Sequence, residues 1–481
     1  MEKVLEGLQP QLVFKYFEEI SQIPRGSGNE KGISDFLYNF GKSLNLETIQ
    51  DEHLNIIIRK PATKGYENAP CVMLQGHMDM VCEKNKDTDH DFTKDPIKLR
   101  IEDGMIYATG TTLGADNGIA VAMGMAVLAD NTIEHPEIEF LVTVDEEAGM
   151  SGAMNLDGKN LKAKYILNLD SEEEGYILVS CAGGATAIST LPVEYSEVSE
   201  DKVALLVDIK GLLGGHSGMD IIKQRANSNK LLGRLLNLLK VDFDLAKVSG
   251  GSKNNAIPRE SECIIVVNKS AVEDVKNQIS EIEKVFKREF RTSDPGLVIE
   301  VSDTKIDKVF TSEFKDKVIK MYNLMPNGIQ TMSMDIEGLV ESSTNLGVVI
   351  NSDTEVLFES AVRSSVSSLK DDILNKMDLL TDSLNGNFRV ESAYPAWEYA
   401  KGSQLEKIAV DTYEKLTGKK PIIMAIHAGL ECGLLLDKMP GAEAISLGPD
   451  MFDVHTPNEH LDIQSTENTW NYLLAILKSI N

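Results

Sequence analysis

Apolar positions recur with helical spacing over residues 12–20 and again over 30–44, which predicts two amphipathic helices near the start of the chain. Short apolar runs at 71–75, 139–144 and 165–169 are each bounded by polar turns and predict buried strands. Between the first two lies 117–130, rich in small residues and Met and long enough for a helix with no polar face. The same alternation returns at the end, with helices predicted over 405–416 and 466–480 around a strand at 444–447. Strands alternating with helices predict a largely parallel sheet covered on both faces.

The middle of the chain has a different pattern. Residues 203–210 alternate like a half-exposed strand, 220–239 predict one long helix, and 263–269 predict a strand followed by a charged helix to about 291. A second round follows, with a helix at 311–324, strands at 346–351 and 355–364, and a helix at 367–384. The expected organisation is one α/β domain formed by residues 1–186 and 393–481, with an α+β domain inserted at 187–392. Two domains also suit the length of 481 residues, since single cores stop growing near ~250–300.

Charge narrows the partners. With 48 basic and 75 acidic residues the net charge is −27, which repels nucleic acid and anionic membranes. No run approaches the ~18 apolar residues of a membrane span, and the first residues lack a basic start and apolar block. Five cysteines, scattered and without a C-x-x-C pair, predict reduced thiols and a cytoplasmic setting.

Candidate chemistry sits where predicted strands end, the place where α/β sheets put their sites. His77-Met78-Asp79 follows the first run, and an Asp two residues beyond a His can take its second ring N–H and fix the tautomer. A His in a strand-end turn bonded only to backbone has the same pattern. Asp116 lies in Gly114-Ala115-Asp116-Asn117-Gly118 before a helix, as either a cap or a carboxylate bridging two cations. Asp145-Glu146-Glu147 and Asn168-Leu169-Asp170 end two further strands, and His455 lies beyond the strand at 444–447. Two imidazoles and three carboxylates exceed what one open tetrahedral zinc needs. They suit two divalent ions, zinc, cobalt or manganese, about 3.5–4 Å apart.

Q-G-H-M-D-M-V (75–81), T-L-G-A-D-N-G (112–118), V-D-E-E-A-G-M-S-G-A (144–153), N-L-D-S-E (168–172) and D-V-H-T-P-N-E (453–459) resemble the M20 metallopeptidases, most closely the aminoacyl-histidine dipeptidase branch. The resemblance implies a zinc-peptidase-like catalytic domain with an inserted lid, and hydrolysis of unblocked dipeptides, Xaa-His among them. It implies that His77 and Asp170 hold one metal, Glu147 and His455 the other, and that Asp116 bridges them, with a cis peptide after it. It further implies that Asp79 orients His77, that Glu146 is the general base, and that His216 of G-G-H-S-G completes the site from the lid, with the lid also forming a homodimer. Asn255 of N-N-A-I-P-R and Arg363 are expected to clamp substrate, Arg363 at its carboxylate, with a plain turn and a surface strand Arg as the other readings, and Glu431 of H-A-G-L-E-C-G to contact the substrate amine or help shape the site. An aminoacylase, carboxypeptidase or tripeptidase would use the same centre, and an inactive binding paralogue would share the scaffold.

Overall fold

A computed structural model describes residues 3–199 and 201–481. The backbone divides into two units: Met1–Ser180 with Tyr399–Ala425 and Leu430–Asn481, and Cys181–Glu398 with Ile426–Gly429. The division expected from sequence places the inner segment at 187–392 and does not include the short return at 426–429. The composition of the strands Gly183–Pro192 and Asn387–Tyr394 marks no boundary, yet both pair in the second unit's sheet.

In the first unit the strands Val72–His77, Ile138–Thr143, Tyr165–Asn168 and Glu443–Ser446 run parallel as neighbours. They are buried almost throughout, as a sheet covered on both faces requires. These four central strands carry the expected parallel character. On one flank Ile56–Lys60 and Glu47–Gln50 continue the sheet antiparallel, and on the other Tyr176–Cys181 does so beside Glu443–Ser446. The helix Ala115–Ala129 packs between the strand Val72–His77 and the helix Gln11–Ile20. Its small side chains explain the fit, since a Cβ at Gly124 would overlap the Phe140 ring of the neighbouring strand. A small antiparallel sheet joins Leu99–Glu102, Met105–Ala108, His460–Asp462 and Met451–Phe452. Its last two strands form the hairpin whose loop carries His455.

Among the described residues the second unit is built on a nine-stranded sheet whose strands pair antiparallel. The helices Ser228–Leu238, Val272–Glu289, Ser312–Leu324 and Ser367–Ser383 contribute Leu232, Phe286, Tyr322 and Met377 to one core with sheet residues such as Ile265 and Phe358. The long helix expected over 220–239 is broken. A short 3-10 turn, Ile221–Lys223, ends at Gln224 with a left-handed φ of 50°. The α-helix then starts at Ser228, where the Asn227 side chain accepts the Lys230 N–H as its cap. Among the described residues no helix is long and apolar enough to cross a membrane.

Candidate metal centre

His77 ends a fully buried strand, and its Nε2 lies 3.1 Å from Asp116 Oδ1 and 3.4 Å from Asp170 Oδ1. Asp116 turns its other oxygen, Oδ2, to His455 Nε2 at 3.1 Å, and the same nitrogen is 3.0 Å from Glu147 Oε2. Two groups that could each hold a metal ion therefore form, His77–Asp116–Asp170 and Asp116–Glu147–His455, with Asp116 in both. The donor chemistry fits two divalent ions: imidazole nitrogens and carboxylate oxygens, no thiolate, and one carboxylate with an oxygen aimed at each set.

The acids of the cluster lean on the two imidazoles. Burial pulls His77 down, but the charge of Asp170 and bonds to Asp116, Asp170 and Asp79 hold it well above its ordinary value. Hydrogen bonds to Asp116 and Glu147 hold His455 up to about 11. Burial pushes Asp170 up to about 6 and raises Glu146 well above the carboxylate range, where Asp170, Glu431 and Glu147 add repulsion.

Local structure explains the convergence. Asp79 is wholly buried, with Oδ1 3.3 Å from His77 Nδ1. Its oxygens also accept the Ser27 hydroxyl at 2.8 Å and the backbone N–H groups of Glu146 and Glu147 at 3.1 and 3.2 Å. One carboxylate thus ties the first imidazole to the turn that carries the proposed base. That turn opens at Asp145 with a φ of 58°, a left-handed geometry that a non-glycine residue holds only against strain. Asp116 and Asn117 depart from helical geometry at the start of their helix, and the peptide between them is cis. Asn117 accepts the His77 N–H at 3.2 Å and donates to Leu169 O at 2.8 Å, so it touches both neighbouring ligand strands. A Cβ at Gly76 would collide with Asn117 and Ala120, which accounts for the glycine before His77.

Two anchors have no role in the reading from sequence, although Glu459 closes the D-V-H-T-P-N-E motif. Arg25 is buried and donates to the carbonyls of Met78, Asp79 and Gly114, joining the His77 and Asp116 loops. Glu459 accepts four successive backbone N–H groups, of Leu113, Gly114, Ala115 and Asp116, at 2.7–3.4 Å. It lies four residues beyond His455, so the loop bearing the second imidazole clamps the loop bearing Asp116.

The other expected site residues are distributed differently. Glu431 is in the first unit and fully buried at the start of the helix Glu431–Lys438. His216, Asn255 and Arg363 are in the second unit. There Gly215–His216 pairs with Ala256–Ile257, and Ser217 N donates to Asn255 O at 2.8 Å, so the first two lie on adjoining loops. His216 Nδ1 accepts the N–H groups of Gly218 and Met219, which places the ring proton on Nε2. Arg363 donates to the Tyr394 hydroxyl at 3.1 Å, and its charge, after burial, depresses His216. His427 lies beside the same Arg363, with Nε2 2.7 Å from Ser343 Oγ. His90 and His135 are buried, His135 bonded to the Pro136 carbonyl, and His460 stacks on Tyr107 and Phe452.

His427 yields a prediction. Burial, then Arg363 and His216, lower it to about 3. The unfolded chain protonates it near 6.5. Between these values the unfolded state binds more protons, so the stability is full above pH 6.5 and falls as pH drops toward 3. The slope from this one group is about 1.4 kcal/mol per pH unit. Unfolding followed at Trp397, in a Trp470→Phe background, should lose stability from pH 6.5 to 5, and His427→Asn should flatten that loss. An unchanged slope would exclude His427 as its source.

The match to known proteins is extensive. Residues 73–479 fit the description of peptidase family M20/M25/M40. The chain belongs to that family. It is 38% identical over 479 residues to the cytosol non-specific dipeptidase of Escherichia coli (strain K12), covering 99% of each chain. The crystal structure of aminoacylhistidine dipeptidase from Vibrio alginolyticus superposes with a TM-score of 0.94 at 36% identity, covering 99% of this chain and 98% of that one. Aminopeptidase PepT from Bacillus cereus ATCC 10987 shares the fold, with a TM-score of 0.57 at 18% identity over 98% and 99% of the two chains. The M20 assignment agrees with the resemblance read from the five motifs and with the expected α/β class.

Proposed function

We propose that this M20 chain is a metal-dependent dipeptidase of the cytoplasm that hydrolyses the amide bond of unblocked dipeptides, Xaa-His among them. The observation that carries this reading is the pair of donor groups sharing Asp116, with Glu146 next to Glu147. His77 and Asp170 would hold one ion, Glu147 and His455 the other, and Asp116 both. Zinc is the proposed metal, with cobalt or manganese able to use the same donors. Two bound cations would supply the positive charge that acidifies water and polarises the substrate carbonyl.

The protein's own groups do the rest. Asp79 holds His77 in the tautomer whose Nε2 faces Asp116 and Asp170, and through two N–H groups it sets the turn of Glu146. Glu146 takes a proton from the attacking water and returns it to the leaving nitrogen as the C–N bond breaks. Burial raises its proton affinity, which favours a group that must hold a proton between taking and returning it. His216, Asn255 and Arg363 are proposed to act on the substrate from the inserted segment, 187–392, as a lid. Nε2–H of His216 would donate to the carbonyl oxygen and Arg363 would grip the terminal carboxylate. Pairing of two lids in a homodimer belongs to the same proposal.

A panel tests the reading: free dipeptides including Xaa-His and β-alanyl-histidine, N-acetylated amino acids, and tripeptides, assayed beside metal analysis. The expected result is about two ions per chain, with kcat/KM for free dipeptides at least roughly tenfold above the rest, the discrimination that one well-placed charged contact supplies. Preferential cleavage of acetylated amino acids or tripeptides would replace the dipeptidase reading with an aminoacylase or a tripeptidase.

A further inference from the structure

Behind the metal centre lies a sealed cluster of four polar side chains, Gln75, Thr143, Asn168 and Glu431, each with no exposed surface. Asn168 Nδ2 donates to Gln75 Oε1 at 2.5 Å. Gln75 Nε2 donates to Glu431 Oε2 at 2.6 Å, and Thr143 Oγ1 donates to the same oxygen at 2.6 Å. The first three residues stand on adjacent parallel strands, Val72–His77, Ile138–Thr143 and Tyr165–Asn168, where Gln75 registers with Asn168 and Thr143 with His77.

Each of those strands delivers a proposed ligand within a few residues of its network member. Gln75 precedes His77, Thr143 precedes Glu146 and Glu147, and Asn168 precedes Asp170. Glu431 is a carboxyl fully removed from water, which is expensive unless its hydrogen bonds serve a purpose an apolar residue could not. Of its two expected roles, amine contact or shaping the site, its lack of exposed surface favours the second.

We propose that Glu431 is a positioning residue: by gathering Gln75 and Thr143 on one oxygen, it locks three neighbouring strand ends so that His77, Glu147 and Asp170 converge with the spacing two ions need. The inference rests on the two-ion reading of the centre. Groups standing behind metal ligands typically govern affinity by ten- to a hundredfold, because they set ligand orientation.

The test compares wild type, Glu431→Leu, Glu431→Gln and Thr143→Val. Zinc affinity of the metal-free proteins is measured by competition with a chromophoric chelator, with kcat and KM for one dipeptide and urea unfolding of the metal-free chains. Glu431→Leu should weaken zinc roughly ten- to a hundredfold and lower kcat with little change in KM. Glu431→Gln keeps an acceptor oxygen in the same place and should restore most of the affinity. Unchanged zinc binding in Glu431→Leu, or a loss in Glu431→Gln as large as in Glu431→Leu, would overturn the proposal. A rise in KM alone would overturn it in favour of a substrate contact. Should Glu431→Leu not fold, Thr143→Val removes one of the two donors, and wild-type zinc affinity there would overturn it equally. Failure of the wild type to bind two ions would instead sink the reading of the centre itself.

Discussion

Glu146→Gln is expected to lower kcat by roughly 10²–10⁴-fold while the protein keeps its full metal content. The two expectations come from different atoms. Glu146 belongs to neither donor group, so the ligands His77, Asp116, Glu147, Asp170 and His455 are untouched. The turn that presents residue 146 is held through its backbone N–H on Asp79, which a Gln side chain leaves intact. The amide keeps the shape of the carboxyl but cannot accept a proton from water. KM should therefore move little, since the loss falls on the proton-transfer step. Steady-state kinetics with metal analysis on the same preparation checks both halves. A kcat within tenfold of wild type would remove Glu146 from its role, and loss of metal would recast it as a ligand.

Asp116→Ala should have the opposite signature, with metal content falling from two ions to fewer than one and activity lost with it. Both donor groups depend on this one residue, Oδ1 facing His77 and Oδ2 facing His455. Its loop should survive the substitution, because the backbone N–H groups of Leu113 to Asp116 are held by Glu459, not by the Asp116 carboxyl. Equilibrium dialysis against buffered zinc measures the stoichiometry directly. Stability gives a second readout: an ion present at a hundred times its Kd adds about 2.7 kcal/mol to folding. That zinc-dependent gain should be large in wild type and absent in Asp116→Ala. Retention of two ions in the variant would refute the shared-carboxylate arrangement.

His77, Glu147 and Asp170 stand out as candidates because each follows a short apolar run, and a carboxylate or imidazole at the end of a buried strand contrasts with it. Their roles as ligands, and that of Asp116, come from the family resemblance of the motifs around them. The supports behind them do not stand out. Glu459 and Leu113 are 346 residues apart in the chain, and Gln75 and Glu431 are 356 apart, so neither partnership leaves a local trace. A hint did exist in the lone amides of V-M-L-Q-G-H and Y-I-L-N, polar interruptions in strands otherwise apolar. The helix expected over 220–239 failed for a converse reason. Its apolar spacing holds only from Ser228, and upstream Gln224 takes a left-handed turn that periodicity does not register. The antiparallel flanks of the first sheet are likewise a matter of which strand lies beside which, and apolar content does not report that.

The hairpin that bears His455 and Glu459 is made long after the other donors. Roughly 280 residues separate Asp170 from His455, so at about 5–20 residues per second a ribosome needs roughly 15–60 s to bridge them. Throughout that interval the emerging polypeptide carries His77, Asp116, Glu147 and Asp170 with neither the last imidazole nor the clamp on the Asp116 loop. On the proposed ligand set, the two-ion centre would be assembled only once the hairpin bearing His455 and Glu459 has been made.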